Sequence, residues 1–211
     1  MIPKTIFTIW LGGEPPETIR KCIESQKIPG YEHRLITNKN CPKDIPYVSA
    51  AIQAKKWVKA ADWLRMHYLY TDGGIYLDAD VEIIPGRNFD SLLGNAMFAA
   101  REKNGFIGTA IIGASKGYSF LKPWMDEVQQ NFKGDDDKNF ESSMDILVRG
   151  YFEKGWPKEG FALVPTETLY PYNHQSGEIN VTNETITFHH FLKSWSDAKE
   201  VLPRSRLFFL L

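Results

Sequence analysis

The pattern of apolar and polar residues along the chain predicts an alternation of strands and helices. Short runs rich in apolar and β-branched residues, bounded by glycine, proline or asparagine, are typical of strands. Strands are predicted for residues 6–11, 33–37, 75–84, 96–100, 108–113, 161–164 and 185–191. Apolar residues three and four positions apart are typical of helices that bury one side. Helices are predicted for residues 17–26, 118–132 and 142–152, and residues 48–70 predict one long helix or two.

This order of elements favours an α/β fold. Helices and strands that alternate in the first half of a chain are typical of a mixed, mostly parallel sheet with helices on both faces. Ligands of such sheets bind beyond the carboxyl ends of the strands. The length of 211 residues suits one domain over residues 1–211. We therefore expect a single Rossmann-like domain with its site at that edge of the sheet.

Two carboxylates lie one residue apart in the predicted strand 75–84, directly after a double-glycine turn. They are Asp78 and Asp80. Side chains alternate along a strand, so both should share one face with Tyr76 and Glu82, roughly 6.6 Å apart along the backbone. Like charges at this distance favour a bound cation, and carboxylate oxygens select Mg²⁺ or Mn²⁺, which bridge proteins to nucleotide phosphates. The sequence therefore predicts a metal site that handles a nucleotide-activated substrate.

Composition narrows the classes of partner and the compartment. The chain has 25 Lys and Arg against 26 Asp and Glu, so no net attraction to nucleic acid is expected. Cys22 and Cys41 are the two cysteines, and they lack the Cys-x-x-Cys spacing. The first residues do not resemble a secretion signal, and no apolar run reaches the length of about 18 residues that a transmembrane helix needs. We expect a cytoplasmic protein that does not bind nucleic acid.

A charged pair precedes the carboxylate strand. Asp62 and Arg65 lie three residues apart in a predicted helix, so their side chains share one helical face. One interpretation is a surface ion pair, which contributes well under about 1 kcal/mol. The other is a pair that acts together on substrate hydroxyls. The spacing alone leaves both interpretations open.

The motifs and their order resemble those of a known enzyme family. The strongest matching segments are Ile2-Pro3-Lys4, Ile9-Trp10-Leu11-Gly12-Gly13, Ala61-Asp62-x-x-Arg65 and Gly73-Gly74-Ile75-Tyr76-Leu77-Asp78-Ala79-Asp80-Val81. They resemble the DXD-containing glycosyltransferases of the family 32 type, which includes bacterial capsular polysaccharide enzymes and yeast initiating α-mannosyltransferases. The resemblance implies a GT-A fold, a nucleotide-sugar donor, a Mn²⁺ or Mg²⁺ ion and transfer with retention of anomeric configuration.

The resemblance also implies roles for individual residues. Asp80 is the expected direct metal ligand, and Asp78 is expected to contact the metal, the ribose or the donor sugar. Asp62 and Arg65 would hold the hydroxyls of the donor sugar. Trp10 would lie near the nucleotide base. Together with Tyr76 next to the motif, these residues form the expected catalytic and donor-binding set.

The C-terminal part of the chain supplies further candidates. By the same resemblance Ser194-Trp195 would close over the diphosphate, and Trp195 is the candidate for stacking on the donor. His190 is a candidate third metal ligand, although a histidine in a strand more often has a structural role. His189 is expected to face the opposite way. Residues 204–211 suit either a peripheral membrane contact or a terminal helix packed on the core.

These expectations converge on a metal-dependent retaining glycosyltransferase. The expected donor is a UDP-hexose, and the expected acceptor is a saccharide or lipid-linked saccharide in surface polysaccharide synthesis at the inner face of a membrane. The sequence has no Ser-His-Asp or Cys-His signature and singles out no carboxylate as a nucleophile. This favours a front-face displacement, in which the acceptor hydroxyl attacks as the diphosphate leaves.

Two other classes of protein remain open. Phosphatases of the haloacid dehalogenase type also place Asp-x-Asp at the end of an apolar strand, but Glu82 stands where that class has Thr or Val. A non-catalytic sugar-binding module would use the same Asp, Arg and Trp side chains. Metal-dependent hydrolysis of a nucleotide sugar distinguishes the transferase from a binding module.

Overall fold

The structure is a computed structural model that describes residues 1–131 and 141–192. Its strands are β1 (Thr5–Trp10), β2 (Glu32–Thr37), β3 (Gly74–Leu77), β4 (Val81–Ile83), β5 (Met97–Ala100), β6 (Ile111–Ala114), β7 (Phe161–Val164) and β8 (Thr187–His189). Its helices are α1 (Glu17–Ser25), α2 (Pro46–Gln53), α3 (Trp57–Thr71), α4 (Leu121–Asn131), α5 (Ser143–Phe152) and α6 (Thr166–Leu169), with a 3-10 turn at Asp90–Leu92.

A six-stranded sheet with the order β2-β1-β3-β6-β5-β7 forms the centre of the fold. Strand β1 is parallel to β2 and β3, and β5 is parallel to β7. Strand β6 is antiparallel to both of its neighbours, β3 and β5. All strands of this sheet except β6 therefore run in one direction, which confirms the mixed, mostly parallel sheet predicted from the sequence.

Helices cover both faces of this sheet, as predicted. On one face, Phe7 and Tyr76 of the central strands pack in one core with Leu64 of α3 and Trp124 of α4. On the other face, residues of β1, β3 and β6 pack with Phe89 and with residues of β4 and α6. Helix α1 also lies on this second side, where it packs against β4. The central sheet therefore lies between two apolar cores.

The predicted strand 75–84 is divided in the structure, so the prediction of one continuous strand is wrong. Strand β3 ends at Leu77, and residues 78–80 form a turn in which the N–H of Val81 donates to the carbonyl of Asp78 at 3.0 Å. Strand β4 then leaves the large sheet and pairs antiparallel with β8. The alternation argument for Asp78 and Asp80 therefore does not apply, and it is the turn that sets the directions of these carboxylates.

Other differences from the predicted elements are local. Residues 48–70 contain two helices, α2 and α3, and between them Lys55 adopts a left-handed conformation with φ of 56°. Helix α6 and the 3-10 turn were not predicted, because a single turn is too short to show a periodicity. Within the described part of the chain, no helix has the length and apolar character needed to cross a bilayer. The predicted tail contact of residues 204–211 lies outside the described residues.

Candidate functional site

A cleft of about 600 Å³ opens at the carboxyl edge of the central sheet. Its lining includes Gly12, Asp78 and Glu102, which follow β1, β3 and β5 respectively. These three strands run in the same direction, so their carboxyl ends meet at one edge, where doubly wound sheets bind their ligands. The cleft therefore lies where the sequence predicts a site.

Arg65 of α3 links its helix to the motif turn at the base of this cleft. Its Nη2 atom lies 2.6 Å from Asp62 Oδ1 and 3.6 Å from Asp78 Oδ1. Its Nη1 atom donates to the carbonyl of Thr109 at 2.7 Å, and its guanidinium carbon lies 4.6 Å from the centre of the Tyr76 ring. The side chains of Arg65 and Asp62 are only 6% and 10% exposed. The interpretation of this pair as a surface ion pair is therefore wrong.

Burial controls the charges in this network. Burial raises the pKa of Asp62 to about 6, although Arg65 opposes the shift. Burial also works against the charged form of Arg65, but Tyr76 and the two carboxylates raise its pKa above the usual range. The hydroxyl of Tyr76 donates to Asp78 Oδ1 at 2.6 Å. The base of the cleft thus holds a permanent positive charge that is fixed by contacts on several sides.

Asp78, Asp80 and His189 form a cluster that can hold a metal ion. One ligand atom from each residue lies within 4.8 Å of the others. His189 Nε2 is 3.3 Å from Asp80 Oδ1, and Asp80 Oδ2 accepts a hydrogen bond from the N–H of Leu192 at 2.9 Å. The pairing of β4 with β8 places His189 opposite Val81, next to the motif. Two carboxylates and an imidazole suit Mn²⁺ better than Mg²⁺, because Mg²⁺ prefers oxygen ligands.

The charges of this cluster depend on each other. Burial favours the neutral acid at Asp80, but contact with His189 and with the N–H of Leu192 lowers the pKa of this carboxyl. Burial likewise disfavours the charged form of His189, while Asp80 and Asp78 raise its pKa. The Nδ1 atom of His189 has no hydrogen-bond partner among the described residues. The donor set therefore fits a divalent cation.

The prediction for the two histidines needs correction. The sequence predicts His190 at the carboxylates and His189 on the opposite side, whereas in the structure it is His189 that lies against Asp80. His190 Nε2 lies 3.0 Å from Glu82 Oε2, and its N–H donates to the carbonyl of Asp80. The physical reason is that the turn at residues 78–80 and the antiparallel register of β8 decide which histidine meets Asp80. The geometry favours His189 over His190 as the third ligand.

The end of β1 forms an apolar wall of the cleft. Trp10 lines it and donates from Nε1 to the carbonyl of Gly13 at 2.8 Å. Gly12 has φ of 111°, and the Trp57 indole lies 3.5 Å from where a Cβ of Gly12 would be. Trp57 of α3 therefore also lines the cleft. Trp195, the predicted stacking residue, lies outside the described residues.

Several residues of the cleft were missed by sequence reasoning. They are Glu102, Asn104, Thr109, His174 and Phe191. Glu102 had a usable signal, because it lies two residues beyond the predicted strand 96–100, at the carboxyl end of a strand. His174 and Phe191 gave no such signal, since their rings stack at 4.4 Å through contacts between distant parts of the chain.

Residues at the end of helix α1 form hydrogen bonds with the backbone of the motif turn. Gln26, at the end of α1, is fully buried and donates from its side-chain amide to the carbonyls of Asp78 and Val81, at 3.0 and 2.7 Å. Its own oxygen accepts a hydrogen bond from Thr8. The hydroxyl of Ser25 accepts a hydrogen bond from the N–H of Ile83 at 3.0 Å. These bonds fix the backbone on both sides of the acidic motif.

Part of the sequence matches a known family model. Residues 16–99 match a family model described as "Glycosyltransferase sugar-binding region containing DXD motif". The chain is 32% identical over 129 residues to inositol phosphoceramide mannosyltransferase 3 of Schizosaccharomyces pombe. This alignment covers 57% of the chain and 35% of the relative, so the chain spans about a third of the relative's length.

Solved structures share the fold. PaToxG glycosyltransferase has a TM-score of 0.57 and 18% identity, over 73% of this chain and 70% of that one. The apo form of GlyE from Streptococcus pneumoniae TIGR4 has a TM-score of 0.56 and 10% identity, over 92% of this chain and 56% of that one. A glycosyltransferase involved in glycosylation of the PBCV-1 major capsid has a TM-score of 0.50 and 13% identity, over 89% of this chain and 94% of that one. The chain has the GT-A fold, and its residues 16–99 are similar to the glycosyltransferase sugar-binding region that contains the DXD motif.

Proposed function

We propose that the chain transfers a hexose from a nucleoside diphosphate sugar to a hydroxyl group of an acceptor, with retention of anomeric configuration and with Mn²⁺ or Mg²⁺ as cofactor. One observation carries this proposal. The cluster of Asp78, Asp80 and His189 lies next to the buried pair of Asp62 and Arg65 in one cleft. Groups for a metal ion and groups for sugar hydroxyls are therefore side by side.

The metal cluster accounts for the diphosphate part of the donor. Asp78, Asp80 and His189 would hold the ion, and the imidazole makes Mn²⁺ the better candidate. A divalent ion bound there neutralises the negative charge that develops on the departing diphosphate. The N–H of Leu192 keeps one oxygen of Asp80 occupied, which directs the other oxygen towards His189.

Asp62 and Arg65 account for the sugar part of the donor. A carboxylate accepts hydrogen bonds from hydroxyls, and a guanidinium donates them. Arg65 is fixed by Asp62, by the carbonyl of Thr109 and by the Tyr76 ring. A side chain held in this way loses little freedom when a ligand binds, so it orients the sugar at low entropic cost.

The apolar wall accounts for the nucleotide base. Trp10 and Trp57 offer flat surfaces for a base at the end of β1. We retain UDP-hexose as the donor expected from the sequence. The name of the fission yeast relative, a mannosyltransferase, makes a mannose donor the second candidate.

The proposed chemical step is a front-face displacement. The acceptor oxygen forms a bond to the anomeric carbon on the face from which the diphosphate leaves. The bond between that carbon and the diphosphate oxygen breaks, and its electron pair goes to the leaving oxygen. The acceptor proton passes to the same oxygen, so the products are a glycoside and a nucleoside diphosphate. No protein nucleophile takes part in this step.

The acceptor belongs to the same proposal. A saccharide or lipid-linked saccharide in surface polysaccharide synthesis at the inner face of a membrane is the acceptor expected from the family resemblance. The name of the yeast relative points to a lipid acceptor with a hydroxyl-bearing headgroup. The family resemblance and the name of the relative both support transfer to a hydroxyl of a ring that carries several hydroxyl groups.

A screen of nucleotide sugars tests the proposal. The purified chain is incubated with UDP-glucose, UDP-galactose and GDP-mannose, with Mn²⁺ or with EDTA, and release of the nucleoside diphosphate is measured. We expect Mn²⁺-dependent release from at least one donor, and its loss in Asp80→Ala with an unchanged circular dichroism spectrum. Hydrolysis of phosphate monoesters instead would support the phosphatase class. Donor binding without any cleavage would support a sugar-binding module.

A further inference from the structure

Glu102 is a buried carboxylate in the cleft to which the proposed reaction gives no role. It lies two residues after the end of β5 and is 7% exposed. Its N–H donates to the carbonyl of Phe106 at 2.8 Å, and the side-chain amide of Asn104 donates to its Oε2 at 3.1 Å. Both bonds lie within one short loop, so the loop itself holds the carboxylate against the cleft.

The hydrogen-bonding capacity of Glu102 is mostly unused. A carboxylate accepts about four hydrogen bonds. Among the described residues, the amide of Asn104 is the one side-chain donor bonded to it, and no lysine or arginine forms an ion pair with it. A buried charge with so few partners is unfavourable, and such a group is usually completed by water or by a ligand. Hydroxyl groups of a ligand in the cleft are suitable donors.

The sheet order places Glu102 on the opposite side of the acidic motif from the apolar wall. In the order β1-β3-β6-β5, Trp10 follows β1 on one side of the motif strand, and Glu102 follows β5 on the other. Neighbouring strands are about 4.8 Å apart, so β5 lies roughly 10 Å from β3. This distance leaves room for one sugar ring beyond the motif.

Other polar side chains also line the cleft. Asn104 and His174 do so, and so does Ser143 at the start of α5. Ser143 is 3% exposed, and its Oγ has no hydrogen-bond partner among the described residues. An unsatisfied buried hydroxyl in the cleft wall is a second, independent indication of a ligand with hydroxyl groups.

We propose that Glu102, with Asn104 beside it, binds the acceptor and accepts hydrogen bonds from its hydroxyl groups. This inference rests on the proposed function. The part of the acceptor that enters the cleft is an uncharged ring with several hydroxyls, a sugar or a cyclitol. A phosphate does not suit this position, because its oxygens are acceptors and offer no hydrogen-bond donor to the Glu102 carboxylate. In a lipid-linked acceptor, the phosphate group therefore stays outside this part of the cleft.

Glu102→Gln tests this inference, because the amide keeps the shape of the side chain and removes its charge. The matched control is Glu153→Gln, at an exposed position at the end of α5. Each variant is tested for Mn²⁺ and UDP binding by calorimetry, for donor hydrolysis, and for transfer to methyl α-D-glucopyranoside, methyl α-D-mannopyranoside and myo-inositol. Glucose 6-phosphate serves as the charged acceptor.

We expect Glu102→Gln to bind Mn²⁺ and UDP and to hydrolyse the donor at wild-type levels. Its kcat/KM for transfer should fall about 10- to 100-fold, mainly through the KM of the acceptor, which is the range for a lost hydrogen bond to a charged group. Glu153→Gln should match the wild type in every assay. Wild-type chain should prefer the uncharged acceptors to glucose 6-phosphate, and Glu102→Gln should lose part of that preference.

The outcomes separate this inference from the proposed function. If Glu102→Gln transfers normally, or if it loses nucleotide binding and hydrolysis to the same degree as transfer, the acceptor role is wrong and the proposed function stands. If the wild-type chain neither binds nor cleaves any nucleotide sugar with Mn²⁺, the proposed function fails, and the role of Glu102 fails with it.

Discussion

The side-chain amide nitrogen of Gln26 lies 3.0 Å from the carbonyl oxygen of Asp78, although 52 residues separate them in the chain. The same nitrogen lies 2.7 Å from the carbonyl of Val81. One buried amide therefore satisfies two backbone acceptors on either side of the acidic motif. The carboxylates of the motif are positioned by a residue that does not itself enter the cleft.

Replacement of this amide should weaken metal binding. Gln26→Met keeps the volume of the side chain and removes both hydrogen bonds. The carbonyl of Val81 loses this partner, and the carbonyl of Asp78 keeps the bond from the N–H of Val81. We expect the free energy of unfolding to fall by about 1–3 kcal/mol. We also expect Mn²⁺ affinity to fall roughly tenfold or more, as for other residues that orient metal ligands. Urea unfolding and Mn²⁺ titration measure the two effects.

The exposed Gln53 provides the control for this substitution. Its side chain makes one long hydrogen bond, of 3.5 Å to Ser49. Gln53→Met should leave both unfolding and Mn²⁺ affinity close to wild type. A Gln26→Met variant that is destabilised but binds Mn²⁺ with normal affinity would show that Gln26 supports the fold and not the site.

Substitution of the two histidines should distinguish the metal ligand from its neighbour. His189→Ala removes the imidazole of the cluster, so we expect Mn²⁺ affinity to fall by about a hundredfold and donor hydrolysis to fall with it. His190→Ala loses the contact with Glu82 and should keep Mn²⁺ affinity within about threefold of wild type. Calorimetry with Mn²⁺ alone measures this without any donor. The reverse order of effects would restore His190 as the ligand.

The shape of Arg65 should matter as much as its charge. Arg65→Lys keeps a positive charge but cannot make the same set of contacts with Asp62, the Thr109 carbonyl and the Tyr76 ring. We expect kcat/KM for donor hydrolysis to fall about a hundredfold. The free energy of unfolding should fall by about 1–3 kcal/mol.

Arg34→Lys is the matched substitution at a surface ion pair, since Arg34 pairs with Glu32 and Asp72 on an exposed face. Arg34→Lys should lower the free energy of unfolding by less than about 1 kcal/mol and leave donor hydrolysis unchanged. Equal activity of Arg65→Lys and wild type would remove Arg65 from the proposed donor site.

Asp62 should reduce stability at neutral pH. Its pKa is about 6 in the folded chain against 3.8 for a free side chain, so folding favours the protonated acid. The contribution of the protonated acid to the free energy of unfolding is fully present below about pH 4, and it is lost as pH rises through about 6. Asp62→Asn should therefore gain stability relative to wild type between pH 4 and pH 6, while donor hydrolysis falls. Melting temperatures from pH 4 to pH 8 test this.

One outcome of the pH series would contradict the prediction for Asp62→Asn. If the variant is less stable than wild type by the same amount at every pH, the pair of Asp62 and Arg65 stabilises the fold through its geometry. The raised pKa would then have no consequence for stability.

Much of the fold could be predicted from the sequence, because local patterns encode it. The strand Phe161–Val164 has the predicted bounds, and α1 and α5 differ from their predicted bounds by one residue. The contact between Asp62 and Arg65 could be predicted for the same reason, since a spacing of three residues on a helix is local information, but the burial of the pair could not. The alternation of helices and strands predicted the edge of the sheet at which the cleft lies.

The parts that could not be predicted depend on contacts between distant segments. An apolar run over residues 75–84 looks the same whether it forms one strand or two. The break after Leu77 becomes clear only once β4 pairs with β8 and Gln26 bonds to the turn. The choice between His189 and His190 depends on the same pairing, whose register no pattern within either segment reveals.

The hydrogen bond from the N–H of Leu192 to Asp80 spans 112 positions of the chain. His189 comes from the same late segment as Leu192. A ribosome therefore synthesises Asp62, Arg65 and both aspartates well before it reaches His189. A nascent chain that lacks this later segment would carry the acidic motif without the third side chain of the cluster. Assembly of the cluster thus has to wait until β8 pairs with β4.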